Sequence, residues 1–189
     1  MLDLMVITLP NLLTLLRILA VPFFAIALWY GHALEACLIF MGAGFTDLLD
    51  GFIARRFNQG SDLGAILDPA ADKLLMTTAF VLMALPNVHL VTKIPMWVSI
   101  LAVSRDATLS LVAILAFDKL GRERLQPSLL GKVTTAAELM AITLGLFVNV
   151  IGLRAWTHWV IPWVYYVVAL LVLCSGLHYF FRATQAKTD

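Results

Sequence analysis

Residues 46–73 read TDLLDGFIARRFNQGSDLGAILDPAADK. Apolar runs lie on both sides, so the stretch reads as the end of one helix, a short polar turn and the start of the next. Asp47 and Asp50 are spaced i, i+3, and Asp68 and Asp72 are spaced i, i+4. Each pair therefore occupies one helix face, and a short turn makes the two faces meet. Four like charges in a partly dry site repel, so some must be protonated or cations must sit among them. Divalent metal is the simpler solution. All-oxygen ligands favour Mg²⁺, Mn²⁺ or Ca²⁺ over zinc or copper, and two hard cations bridged by carboxylates are a recurrent device for phosphoryl chemistry.

The surrounding sequence requires lipid as solvent. Of the 189 residues 61% are hydrophobic and 13% charged, where soluble domains carry about 25% charged residues. Six spans are expected, at about Leu12–Tyr30, Ala33–Phe57, Ala65–Leu85, Ile94–Phe117, Leu129–Leu153 and Trp156–Phe181, in an all-α integral membrane fold with a single domain over 1–189. Basic residues gather at one set of span ends: Arg55, Arg56, Lys73, Lys119, Arg122, Arg124, Arg182 and Lys187. Only Lys93 and Arg154 mark the other. The positive-inside tendency then puts both termini and the acidic cluster on the cytoplasmic side. A net charge of +1 offers no basic field for nucleic acid. Cys37 and Cys174 lie in apolar runs and suggest neither a disulfide framework nor a zinc site. The start, MLDLMVITLPN, lacks a basic n-region and a cleavage site and reads as retained.

Around the acids, Gly51, Ala54 and Gly64 leave room for a ligand or a neighbouring backbone. Arg55 is placed to hold a diphosphate oxygen or to pair with an acid. The bland alternative is simple charge pairing, Asp47 with Arg55 or Arg56 and Asp72 with Lys73. A cation transporter is the rival of another class, but it needs polar residues across the bilayer. The third span instead continues from Leu74 to Leu85 with only two threonines as polar groups. The four histidines are scattered, and the two in the aromatic last span, His158 and His178, read as part of an interfacial belt.

The string Asp47-x2-Asp50-Gly51-x2-Ala54-Arg55-x8-Gly64-x3-Asp68-x3-Asp72 matches every position of the signature of the CDP-alcohol phosphatidyltransferases, and the chain resembles that family over nearly its whole length. Pro10-Asn11-x2-Thr14-x2-Arg17 in the first span and Gly131-Lys132-Val133-Thr134-Thr135 in the fifth extend the likeness. The resemblance implies six spans, a homodimer, and a site open to the cytoplasm. There Asp47, Asp50, Asp68 and Asp72 hold Mg²⁺ or Mn²⁺, expected as two cations, against the diphosphate of CDP-diacylglycerol. It makes Asp72 also the catalytic base that takes the proton of the acceptor hydroxyl as CMP leaves. Gly51, Ala54, Arg55 and Gly64, with Asn11, Thr14 and Arg17 from the first helix, are expected to contact the CDP-lipid.

For the acceptor, the chain most resembles the branch making phosphatidylglycerol phosphate and cardiolipin. Ser104-Arg105-Asp106 and Gln126-Pro127-Ser128 are similar to CDP-diacylglycerol-dependent cardiolipin synthases. Glycerophosphate enzymes tend to show Gly-Lys-x-Lys-Thr, whereas here Thr134 replaces the second lysine. A free phosphate dianion calls for more basic side chains than a diester monoanion does. The leading expectation is therefore phosphatidylglycerol, with glycerol 3-phosphate as the alternative, and Arg105 and Lys132 contacting the acceptor phosphate in either case.

Overall fold

The computed structural model describes residues 9–57, 62–120, 128–152 and 157–185. They form six helices: α1 (Leu9–Trp29), α2 (Ala33–Phe57), α3 (Asp62–Ala84), α4 (Met96–Leu120), α5 (Leu129–Ile151) and α6 (Thr157–Gln185). No strand occurs among the described residues. The expected all-α class and helix count hold, and α2 has the expected limits. The chain divides into two compact units, Met1–Leu90 and Val91–Asp189.

In the first unit, α1 packs against both α2 and α3. Its buried face runs Asn11, Thr14, Arg17, Val21, Phe24 and Leu28, steps of three and four that keep one side of a helix inward. That face is polar over its first two turns and apolar beyond, where the rings of Phe24 and Phe40 lie 5.6 Å apart. The opposite side exposes Leu12, Leu15, Leu16, Leu19, Phe23 and Ile26. Polar groups inward and leucines outward suit a helix surrounded by hydrocarbon, where no water is present to satisfy an outward arginine. On α2 the buried Ala36, Phe40 and Ala43 continue one turn later to Asp47. On α3 Asp68 and Asp72 precede the buried Leu75, Ala79 and Met83 on the same face. The carboxylates thus sit at one end of an otherwise apolar three-helix contact.

The turn between α1 and α2 closes the other end. His32 N–H donates to Ala27 O at 2.8 Å and Gly31 N–H to Leu28 O at 3.1 Å, the two bonds that end a helix through a left-handed residue. Gly31 has φ 76°, and a Cβ there would lie 2.9 Å from His89 O. Glycine is needed twice, for the backbone and for the close approach.

In the second unit α6 packs against α4 and α5. The buried seam of α5, Gly131, Thr134, Glu138, Ala141 and Gly145, is small at four of five positions, which lets helices approach closely. Thr134 Oγ1 accordingly reaches Leu171 O at 3.3 Å besides its own helix at Leu130 O, 2.8 Å. Farther along, the Asn149 side chain clasps the backbone of Thr92, accepting from its N–H and donating to its carbonyl, both at 2.8 Å. A bare amide plane inside an apolar unit is satisfied in this way on both edges.

Among the described residues, three stretches are long and apolar enough to cross a membrane: Asn11–Trp29, Leu129–Ile151 and Thr157–Tyr179. The other three helices have 23 to 25 residues, also above the roughly 20 a crossing needs, but charges interrupt their apolar runs.

Gly31→Ala should lower unfolding stability by about 1–2 kcal/mol or more, the cost of a left-handed non-glycine residue before any clash with His89. Thermal unfolding in detergent micelles measures it, and wild-type stability would contradict the requirement.

Candidate functional site

Arg17 projects from α1 between α2 and α3, and its Nη1 pairs with two carboxylates, Asp47 Oδ1 at 3.0 Å and Asp72 Oδ1 at 2.8 Å. One turn earlier Thr14 Oγ1 donates a hydrogen bond to Asp68 Oδ1. The first helix therefore touches three of the four signature aspartates from a buried face. The guanidinium is almost wholly enclosed, at 1% side-chain exposure, while Asp47 and Asp72 remain 40% and 43% exposed. A buried cation held by two half-exposed anions keeps the inward charge compensated and leaves part of each carboxylate facing outward. Removing one partner of a fully buried pair costs about 3–5 kcal/mol; half-exposed acids reduce that figure, because water screens what remains.

The expected convergence of α2 and α3 acids is present for Asp47 and Asp72, which share one nitrogen. Asn11 is buried on the same face of α1. The side chains of Asp50, Gly51, Ala54, Arg55 and Gly64 fall outside the described residues. Among the described residues no group of three or more histidine, cysteine or acid side chains stands at metal-holding distance. The donor chemistry nonetheless fits a hard divalent ion: carboxylate oxygens from two helices already converge on one positively charged atom. Arg17 is a base that both acids reach, and it lies 30 residues or more from each of them in sequence.

In the second unit Arg105 is enclosed at 8% side-chain exposure and ties three helices. Nη1 meets Asp106 Oδ1 at 2.6 Å. Nη2 donates to Ser175 Oγ of α6 at 2.9 Å and to Gly131 O of α5 at 3.4 Å. Nε is buried and has no hydrogen-bond partner among the described residues. Gly131 is crowded at this junction, since a Cβ would lie 3.1 Å from the Tyr179 hydroxyl, 3.3 Å from Ser128 Oγ and 3.5 Å from Arg105 Nη2. Ser128 caps α5, accepting from Gly131 N–H at 3.1 Å, and its own N–H donates to the Tyr179 hydroxyl oxygen at 3.1 Å. Lys132, the next residue, is exposed. Arg105 thus holds the backbone that carries Lys132, and the two expected acceptor contacts differ in kind: one cation is committed to protein partners, the other is exposed. Glu138 is buried in α5 at 0% exposure. Ser175 and Tyr179 join the junction without any sequence signal, being isolated polar groups in an aromatic, apolar helix.

Helices apolar outside and charged within define an integral membrane protein with a polar internal site. The sequence profile of the CDP-alcohol phosphatidyltransferases matches residues 7–175, across both units. The chain is 33% identical over 189 aligned residues to a cardiolipin synthase (CMP-forming) / mitochondrial hydrolase fusion protein of Schizosaccharomyces pombe, covering 92% of this chain and 31% of that protein. It is 39% identical over 150 residues to CDP-diacylglycerol–glycerol-3-phosphate 3-phosphatidyltransferase 2 of Arabidopsis thaliana, covering 74% of this chain and 64% of that one. To the CDP-diacylglycerol–glycerol-3-phosphate 3-phosphatidyltransferase of Shigella flexneri serotype 5b it is 35% identical over 186 residues, covering 95% and 97%. The chain therefore spans about a third of the yeast fusion, just under two thirds of the plant protein and nearly all of the bacterial one. It belongs to the CDP-alcohol phosphatidyltransferase family.

Arg105→Lys keeps the charge, but one ammonium cannot meet Asp106, Ser175 and Gly131 together. Unfolding stability should fall by about 1–3 kcal/mol, against about 1 kcal/mol for Ser175→Ala. Equal stability of Arg105→Lys and wild type in a thermal melt would contradict the tie.

Proposed function

We propose that the protein transfers the phosphatidyl group of CDP-diacylglycerol to the hydroxyl of a glycerol-based acceptor, releasing CMP, in the synthesis of anionic phospholipids. The observation that carries this reading is the meeting of Asp47 and Asp72, from two helices of the signature, on a single cationic nitrogen. Asp47, Asp50, Asp68 and Asp72 would hold Mg²⁺ or Mn²⁺, two ions in the full site. Bound there, such ions neutralise the diphosphate and stabilise the charge that develops on departing CMP.

The protein's own groups divide the remaining work. Asp72, acceptor-only when ionised, takes the proton of the acceptor hydroxyl. The freed oxygen forms a bond to the phosphorus that bears diacylglycerol, and the bond from that phosphorus to the CMP oxygen breaks with its electron pair. Gly51, Ala54 and Gly64 leave space for the nucleotide and its phosphates, while Asn11, Thr14, Arg17 and Arg55 supply hydrogen bonds to it. All six helices cross the bilayer, the chain pairs as a homodimer, and the basic span ends put the site on the cytoplasmic side.

Phosphatidylglycerol is the favoured acceptor. Thr134, where glycerophosphate enzymes tend to carry a second lysine, is fully buried and bonded to helix carbonyls, so that position adds no positive charge for a phosphate dianion. Lys132 remains as the exposed cation, with Arg105 beside it in the same junction, enough for a diester monoanion. The names of the plant and bacterial relatives support the second reading, glycerol 3-phosphate.

Purified enzyme given labelled CDP-diacylglycerol and either acceptor separately should form cardiolipin with phosphatidylglycerol; product formed with glycerol 3-phosphate alone would transfer the assignment to the second acceptor. Asp72→Asn should cut CMP release by about 10²–10⁴-fold or more, the contribution of a positioned base, while thermal melting shows a folded protein. Undiminished CMP release in that variant would refute the role of Asp72.

A further inference from the structure

The four signature aspartates pose an electrostatic problem whenever no divalent ion is bound. Carboxylates from α2 and α3 that meet on one nitrogen repel each other, and the repulsion acts on two helices that both pack against α1. The geometry answers it with a residue of the chain. Arg17 Nη1 lies 3.0 Å from Asp47 and 2.8 Å from Asp72, at the point where the two carboxylates converge and where a shared cation would be attracted. Its stem belongs to the buried face of α1, between the two helices that carry the acids, and its guanidinium has no exposed alternative at 1% side-chain exposure.

We propose that Arg17 is a built-in counter-ion of the metal-free enzyme. It pairs Asp47 with Asp72, keeps α2 and α3 assembled between turnovers, and competes with the divalent cation for the same carboxylate oxygens. Entry of the cation frees the guanidinium to meet the anionic diphosphate, so that one side chain serves the empty and the loaded site in turn. In the metal-free state Arg17 positions the aspartates and sets metal affinity; in the loaded state it contacts the substrate. The inference rests on the reading of the aspartates as cation ligands.

Competition has a sign that a merely structural arginine lacks. Replacing Arg17 by a neutral residue removes one positive charge from beside the incoming ion, so cation affinity rises although the metal-free protein weakens. A purely structural role would lower both. The experiment is Mn²⁺ binding to the purified full-length protein in detergent micelles, followed by the loss of the free-ion electron paramagnetic resonance signal, beside thermal melting with chelator and with saturating Mn²⁺. For Arg17→Gln the expected result is Mn²⁺ affinity raised about tenfold, a low melting temperature in chelator, and a larger rise on adding Mn²⁺ than in wild type. Arg17→Lys, which keeps the charge, should bind Mn²⁺ with nearly wild-type affinity.

The wild-type protein alone supplies a second test that needs no variant. Chelation should lower its melting temperature by only a few degrees, because Arg17 takes the place of the ion; loss of the folded state in chelator would overturn the proposal. Wild type that binds Mn²⁺ while Arg17→Gln binds it equally or more weakly overturns the competition and leaves the metal reading standing. Folded wild type that binds no Mn²⁺ at millimolar concentration overturns the metal reading, and the proposal with it.

Discussion

Charged groups in an apolar surround need counter-charge, and in this protein Arg17 supplies part of it to the carboxylates of Asp47 and Asp72. The constraint shapes the whole first unit. For the guanidinium to reach both acids, α1 must lie against α2 and α3 at once, with its polar residues buried at one end and its leucines turned outward. Thr14 can then meet Asp68 from the same face. The apolar remainder of that face, from Val21 to Leu28, packs as an ordinary core and fixes the depth at which the arginine stands. Gly31 closes the opposite end, so the helices are held at one end by backbone geometry and at the other by charge.

The second unit solves a related problem with different means. Arg105 is neutralised locally by Asp106 and spends its remaining hydrogen bonds on Ser175 and the carbonyl of Gly131. A side chain at Gly131 would press on the ends of Tyr179, Ser128 and Arg105, and the cap at Ser128 fixes where α5 begins. Lys132 follows directly as an exposed cation. A committed arginine thus sits beside an exposed lysine, with a tightly surrounded glycine at the junction of the helices that carry them.

Much of this was legible in the sequence, for reasons that can be named. The limits of α2 followed from an apolar run bounded by Gly31-His32 and a polar turn, and the acid pairs followed from helical spacing. Family and chemistry were carried by residues fixed at defined intervals. The contact of Arg17 with the acids was not legible, because it depends on which face of α1 is buried, a property of how α1 packs against α2 and α3. Ser175 and Tyr179 escaped for the same reason, since each is one polar residue in an apolar helix and acquires a partner only when α6 meets α4 and α5. Six helices were expected and occur. As crossings, three are supported by apolar length among the described residues, because charged residues interrupt the apolar runs of the others.

The central claim is that the aspartates serve a divalent cation in phosphatidyl transfer. The most direct measurement is CMP release from CDP-diacylglycerol by the purified wild-type enzyme, with a saturating acceptor, as free Mn²⁺ or Mg²⁺ is varied from chelator upward. The account predicts no release in chelator and a saturable, reversible rise with added cation. Full release in chelator would contradict it.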